Sequence, residues 1–335
     1  MSELPVSQKL WHFWIKGHVG YGGGYYYSVA EKLGLFAACL KQRLAPRRNL
    51  LAGPFVGEFG YEIMQWQAHV RARRRFYQEV HVLTYPGRDY LYEGCRVHYH
   101  DVVLKQAGYA YGRLNRVQAR QLAEAKAAEI GLQDYDIFDA GLLCTRYHKR
   151  VFGQPDFKLF QQPPKSTKPL DVAFHFRAVQ KTGPDQENKN YESGLADELV
   201  ARCLERGITV CCIGHPDYAY CPPGCPDYRC VDLSQTVVGI CSARLAAGEN
   251  SGPMHLANIC GKPTVLWAQH QWRIDYSLRW NPFRVPIYIA ANNTSQPEPA
   301  FVAEALAKAL ADLRAKSKDF TQPLYTLPAQ PIAPY

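Results

Sequence analysis

One run of small residues between two apolar segments constrains this chain most: Arg244 to Trp267, RLAAGENSGPMHLANICGKPTVLW. It predicts a short strand (Arg244–Ala247), a loop (Gly248–Gly252), a helix (Pro253–Cys260), a Gly-Lys-Pro turn and a second strand (Thr264–Trp267). Pro253 suits the first helical position, because the N–H it lacks would have no intrahelical partner there. Ser251 and Asn250 carry side-chain oxygens suited to capping the helix. Gly261 can take the left-handed conformation that ends it, and Pro263 blocks its continuation. Such a turn exposes a helix N-terminus at the carboxyl end of a strand. Its amide groups and positive dipole end favour an anion such as a phosphate. Gly248 and Gly252 leave room for a ligand to approach the backbone. The same pattern would also serve as a tight strand–helix turn in an unrelated α/β protein.

Strand and helix patterns alternate on both sides of this run. Leu50–Phe55 is an apolar run of buried-strand type, followed by the loop Gly57-Glu58-Phe59-Gly60 and a helix over Tyr61–Arg75. Ile63, Trp66, Gln67 and Val70 fall at helical spacing on its inner face. Glu79–Tyr85 is a second strand, so the order is that of a βαβ unit. Ala119–Ile130 reads as a helix and Tyr135–Leu143 as a strand or apolar turn. Before them, Ser28–Leu44 reads as an amphipathic helix with Leu33, Leu35, Phe36, Cys39 and Leu40 on one face. It serves either as a packed extension or as an interfacial anchor.

Gln161–Pro169 is proline-rich, polar and short, the clearest linker. Leu170–Phe176 then opens a second series of strands, with His175 and Arg177 on one face at period two. Arg177 stands at the carboxyl end of that strand, where α/β sheets bind ligands. A guanidinium there can grip a diphosphate with two parallel hydrogen bonds. Lys181 follows in a loop that also reaches phosphate. Glu192–Arg206 is a helix with Leu195, Leu199 and Leu204 inward. Ile208–Ile213 is a strand closed by Gly214-His215-Pro216, and Ala300–Leu313 is a final helix expected to cross back to the first half.

Glu249-Asn250-Ser251-Gly252-Pro253-Met254-His255-Leu256-Ala257 and Gly261-Lys262-Pro263-Thr264-Val265 resemble the donor-site motif of the ADP-heptose:lipopolysaccharide heptosyltransferases. These are glycosyltransferases of GT-B fold, with the pattern N-D-S-G-P-M-H-L-A and then G-x-P-T-V. The chain departs from it at Glu249-Asn250, where the family has Asn-Asp, so the carboxylate moves by one position. The resemblance implies an α/β protein with two Rossmann-like domains facing across a cleft. Residues 1–165 would form the acceptor domain, 166–312 the nucleotide-sugar donor domain and 313–335 an irregular tail.

The resemblance also implies roles. Ser251, Gly252 and Pro253 would cradle the donor diphosphate. Glu249 would accept hydrogen bonds from donor hydroxyls, and Asn250 would lie beside it in the donor site. His255 would contact phosphate or ribose, although one turn inside the helix it fits the core equally well. Gly214 and His215 occupy the position that lines the nucleotide base. A Gly followed by an acid after the first strand places the catalytic base at Glu58, with Glu62 one turn on as the second choice and Gly57 and Gly60 flanking. Here the chain has Glu for Asp and an extra aromatic, Phe59. The alternative is Glu58 as a helix-dipole partner in the first turn. The His-Phe-Arg strand end is similar to that of fucosyltransferase-type GT-B enzymes, whose Arg binds the diphosphate.

The resemblance implies transfer of a sugar from a nucleotide-diphosphate donor to a hydroxyl of a glycan or glycolipid, inverting and without a metal. A nucleotide-sugar epimerase of the same fold, or a non-catalytic sugar-nucleotide-binding protein, would share the donor site. No cofactor beyond the donor is expected.

The net charge of +9 favours anionic ligands. With no Lys/Arg-rich tail, RNA-binding signature or zinc-finger spacing, nucleic acid is not expected as a partner. Arg71, Arg73, Arg74 and Arg75 form the densest basic cluster, either a solvated helix face or a surface for anionic lipid. The 11 cysteines are scattered and no apolar run is long enough to span a membrane. The expectation is a reduced, cytoplasmic protein with room for peripheral contact with the inner membrane face. Cys221, Cys225 and Cys230, with Cys211 and Cys212 upstream, do not follow a standard zinc spacing, so free thiols are expected, with a structural zinc site as the alternative.

Overall fold

The structure, a computed structural model, describes residues 29–57, 59–102, 116–139, 151–160, 169–178 and 189–316. The expectations for Glu58, Lys181, the linker over 161–168 and the tail beyond 316 lie outside the described residues.

In the first half, α1 (Val29–Leu44) leads to β1 (Asn49–Ala52), and a helical stretch then returns the chain to β2 (Glu79–Thr84). That stretch is a turn of helix α2 (Phe59–Tyr61), a π-helical segment (Glu62–Trp66) and α3 (Gln67–Arg74). β3 (Arg96–Tyr99), α4 (Arg116–Glu129) and β4 (Tyr135–Phe138) complete it. The strands form a parallel sheet in the order β3-β2-β1-β4. All four β1 residues are buried, as a parallel strand covered on both faces requires. Ile63, Trp66, Gln67 and Val70 are buried, as their spacing predicts.

The second half contains β5 (Leu170–Arg177), α5 (Ser193–Glu205), β6 (Val210–Gly214), β7 (Ala219–Tyr220) and β8 (Asp227–Arg229). There follow α6 (Leu233–Ser242), β9 (Ala243–Glu249), α7 (Gly252–Ile259), β10 (Thr264–Trp267), α8 (Gln271–Arg279), β11 (Ile287–Ala291) and α9 (Pro299–Lys316). The sheet order is β11-β10-β9-β5-β6-β8, with β7 antiparallel to the end of β5. Read from β8, this is the order of a Rossmann-type sheet. From β5 the chain runs outward through β6 to β8, then returns to the other side of β5 at β9. The crevice beyond the carboxyl ends of β5 and β9 is therefore the topological switch point, where open α/β sheets bind their ligands.

Several expectations are corrected. The final helix, α9, does not cross back. It packs against α5 and the sheet, with Val302, Leu306, Leu310 and Leu313 in the outer core of the second half. It also extends past 312 to Lys316. Leu204 is 54% exposed and Cys203 takes the inward place, because the face of α5 is set by Ala196, Leu199, Val200 and Cys203. On α1, Cys39 is buried but Leu40 and Leu44 are 38% and 74% exposed. The side chains of Leu33 and Leu35 lie outside the described residues.

The arginine cluster is also divided. Arg73 is buried, its guanidinium 3.7 Å from the ring centre of Phe138 and 3.6 Å from that of Phe152, while Arg74 is exposed. Among the described residues no helix is long and apolar enough to cross a membrane.

Candidate active site

The central run folds nearly as its residues predict, with both elements shifted slightly. The strand extends through Glu249 and the helix begins at Gly252, with Pro253 in its first turn. Gly261 takes φ +72° just after it. Small residues are required at this crossing. A Cβ on Gly248 would lie 2.9 Å from the carbonyl oxygen of His175 on the neighbouring strand. A Cβ on Gly252 would lie 2.6 Å from the Phe59 ring. That second contact comes from the other half of the chain, so α2 rests on the N-terminus of α7. Gly60 lies beside His255 and Gly252.

Around this junction Trp280 packs against His255, Tyr276 and Tyr61 at ring-centre separations of 5.3, 4.0 and 5.2 Å. The Tyr276 hydroxyl donates to that of Tyr61 at 3.4 Å. Lower down, the Phe160 amide donates to the Ile259 carbonyl at 3.1 Å, closing the seam between the halves.

The polar groups at the switch point are buried. Ser251 does not cap the helix; its hydroxyl shares a 3.0 Å hydrogen bond with His175 Nδ1. Burial pushes His175 down to about 3, helped by the Arg177 charge. His255 is pushed down to about 4, by burial and then by Lys189. Both rings are therefore neutral near pH 7. Glu249 is 1% exposed, and burial raises its carboxyl to about 8 against the opposing pull of Lys189 and Arg177.

Among the described residues, neither carboxylate oxygen of Glu249 has a hydrogen-bond partner, and the same holds for Arg177 Nε and His255 Nδ1. Buried polar atoms are normally paired, because leaving one unpaired costs roughly 1–3 kcal/mol. Four such atoms around one helix N-terminus fit a site built for a polar ligand.

The other expected residues are placed as follows. Asn250 points into the fold, its amide donating to the Arg273 carbonyl at 2.5 Å and to Ser277 Oγ at 2.6 Å, so it braces α8 beneath the loop. Gly214 closes β6 with the His175 ring against its Cα. His215 turns outward, its Nδ1 accepting from the Asp217 amide at 3.2 Å and its ring against Tyr218. Gly57 packs over the Phe55 ring.

Glu62 is wholly buried. Its Oε1 accepts from Thr84 Oγ1 at 2.5 Å and Tyr92 OH at 2.6 Å, and its Oε2 lies 3.7 Å from Arg88 Nε. Burial raises its pKa, with Arg88 and the two hydrogen bonds pulling the other way. Arg88 in turn lies over the Phe59 ring, 4.1 Å from its centre. Glu62 thus holds the Arg88–Phe59 stack that rests on Gly252.

Sequence reasoning missed Tyr61, Trp280 and Lys189. The Tyr276–Trp280 pair at i,i+4 was a readable signal for an aromatic face on α8. Lys189, beside the phosphate-type residues only in space, had none.

No protein-family model matches the chain, and no curated protein sequence does. Solved structures do match in shape. Escherichia coli ADP-heptose lipopolysaccharide heptosyltransferase II is similar over 80% of this chain and 99% of its own, at 14% identity and a TM-score of 0.51. A glycosyltransferase family 9 protein from Veillonella parvula is similar over 79% and 97%, at 9% identity and a TM-score of 0.49. Another similar structure is the iron-containing dodecameric glycosyltransferase TibC of enterotoxigenic E. coli, at 15% identity and a TM-score of 0.41. The match covers 66% of this chain and 58% of TibC. The two parallel sheets, the switch-point site and the likeness to heptosyltransferase II give the chain a heptosyltransferase-like GT-B fold.

Proposed function

We propose that the chain is a glycosyltransferase that moves a sugar from a nucleotide-diphosphate donor to a hydroxyl acceptor. The observation that carries this is the set of unpaired buried atoms of Arg177, Glu249 and His255 at the β5–β9 switch point, against the N-terminus of α7. Arg177 would grip the diphosphate, and the positive end of α7 would add to the charge stabilisation as the diphosphate leaves. Glu249, protonated near neutral pH, can donate to a donor oxygen as well as accept. Neutral His255 offers Nδ1 either to accept from a ribose hydroxyl or, in the Nδ1–H tautomer, to donate to a phosphate oxygen.

The acceptor would enter from the first half. Glu58 is the proposed base, since Glu62 is enclosed and already engaged by Thr84, Tyr92 and Arg88. The transfer would invert the anomeric centre, with the base and the leaving group on opposite faces of the sugar. It would need no added divalent ion. A glycan or glycolipid acceptor in surface-polysaccharide assembly fits the resemblance and the basic charge. The setting would be cytoplasmic, peripheral to an anionic membrane face.

The test is turnover with a panel of nucleotide-diphosphate sugars and glycan acceptors, without added magnesium or manganese. Release of a nucleoside diphosphate with a glycosylated acceptor is expected. Removing a general base costs about 10²–10⁴-fold, so Glu58→Gln should fall by that order. A rearranged free sugar nucleotide in place of transfer would overturn the reading. Full turnover by Glu58→Gln would remove the assigned base.

A further inference from the structure

We propose that Cys212, Cys221 and Cys225 form a thiolate site for one thiophilic divalent metal ion, zinc or ferrous iron, on the outer layer of the second half. The proposal stands apart from the donor crevice and does not depend on the function assigned to it.

β6 alternates its side chains between two cores. Cys211 and Ile213 face the inner one, while Val210 and Cys212 face the outer one. After β6 the chain makes a short excursion. β7 pairs with the end of β5, CPPGC turns back, and β8 pairs with Cys212–Gly214. In the turn the Cys225 amide donates to the Pro222 carbonyl at 3.1 Å, and Gly224 takes φ +75°, a conformation disfavoured for other residues. Two prolines and this glycine bring Cys221 and Cys225 to one side, over Cys212. The Cys212 amide donates to the Pro226 carbonyl at 2.9 Å and fixes the register.

The three sulfurs all lie within 4.8 Å of one another, and those of Cys212 and Cys225 are 3.5 Å apart. Around a tetrahedral ion with metal–sulfur bonds of about 2.3 Å, two sulfurs are separated by about 3.8 Å. A disulfide needs about 2.05 Å and would leave the third sulfur out. Cys203, in the same core on α5, does not join the cluster, so the convergence is more than a cysteine-rich layer.

Arg229 bridges the excursion, its guanidinium donating to the Ala219 carbonyl at 2.5 Å and to Asp227 at 2.7 Å. Cys212 and Cys225 are buried while Cys221 is half-buried, so the fourth coordination position faces outward past Cys221, to water or a small ligand. β7 and β8 are very short, and a bound ion would staple them to β6. Because β6 runs on into Gly214 and His215, the staple would also hold the loop beside the switch point. Binding exchanges the three thiol protons for the ion, with no change of oxidation state.

The test is metal content by mass spectrometry on full-length protein purified under reducing conditions without chelator. About one zinc or iron per chain is expected in wild type and in Cys203→Ser. Less than a tenth of that is expected in Cys221→Ser and Cys225→Ser. Cobalt added to metal-stripped wild type should give a thiolate–cobalt charge-transfer band that zinc abolishes, and zinc should raise the unfolding midpoint by several degrees. Cys221→Ser, at the rim, keeps the test open should substitution of the deeper cysteines prevent folding. Metal-free wild type with no cobalt band overturns the proposal. So does full metal content in the Cys221→Ser/Cys225→Ser double variant, or a Cys212–Cys225 disulfide in the intact mass.

Discussion

Arg177 and Glu249 stand at the ends of adjacent strands, and each leaves polar atoms buried and unpaired. Hydrogen bonds to charged groups contribute about 1.5–3 kcal/mol. Arg177→Ala should therefore weaken a nucleoside diphosphate by roughly ten- to a hundredfold, measured by calorimetry, and Arg177→Lys should recover only part of this because it loses the two-pronged geometry. Unchanged affinity in Arg177→Ala would remove the clamp. Glu249 carries a pH signature. Its folded value of about 8 lies above the 4.5 of an ordinary glutamate. The stability it contributes is thus full below about pH 4.5 and is lost as pH rises through about 8. Glu249→Gln cannot ionise, so its unfolding midpoint should gain on wild type from about pH 5 to about pH 9. A constant difference would show an ordinary carboxylate. His175 and His255 act in the opposite sense. Their folded values of about 3 and about 4 lie below the ordinary 6.5, so the stability tied to their neutrality is lost as pH falls from about 6.5 through those values.

The helical stretch after β1 shows how much an element's sequence reveals. Its inner face, Ile63, Trp66 and Val70, follows from spacing alone. The next position in that series is Arg73, so its burial was legible in phase. The run of arginines around it disguised this, because a charge run ordinarily faces solvent. Burial brings the guanidinium down to about 10 between two aromatic rings. Arg73→Ala should cost about 2–4 kcal/mol of stability, from the lost stacking and the cavity left behind. Arg74→Ala, on the exposed side, should stay within about 0.5 kcal/mol. Equal losses in denaturant unfolding would mean that Arg73 contributes no more than a surface residue. The π-helical segment was not legible, and neither were the partners of Glu62 at its start, because Thr84, Tyr92 and Arg88 lie far away in sequence. Gly252→Ala would press on Phe59 and should cost about 1–3 kcal/mol. No change in the unfolding midpoint would show that α2 yields freely there.

At the scale of the whole molecule, the centre of both sheets was legible, because β1, β2, β5, β6, β9 and β10 read as short apolar runs with helical patterns among them, whereas the polar β3 and β8 and the two-residue β7 gave no such signal. The order of the strands within each sheet was not written in any one segment. It places Arg177 and Glu249, 72 residues apart, beside each other at the β5–β9 switch point. The meeting of the halves was equally hidden. Phe59 on Gly252, and Tyr61 against Trp280, are contacts between residues with no shared local pattern. These contacts bring the first half up to the N-terminus of α7, where a donor would sit. The most direct measurement is the unfolding midpoint of wild type and Arg177→Ala against ADP, GDP, UDP, CDP and CMP at millimolar concentration. A ligand at about 100 times its Kd stabilises by about 2.7 kcal/mol, enough to raise the midpoint by several degrees. A donor site at β5–β9 requires a rise with at least one diphosphate that disappears in Arg177→Ala. No rise with any of them, or a rise that Arg177→Ala leaves intact, would contradict it.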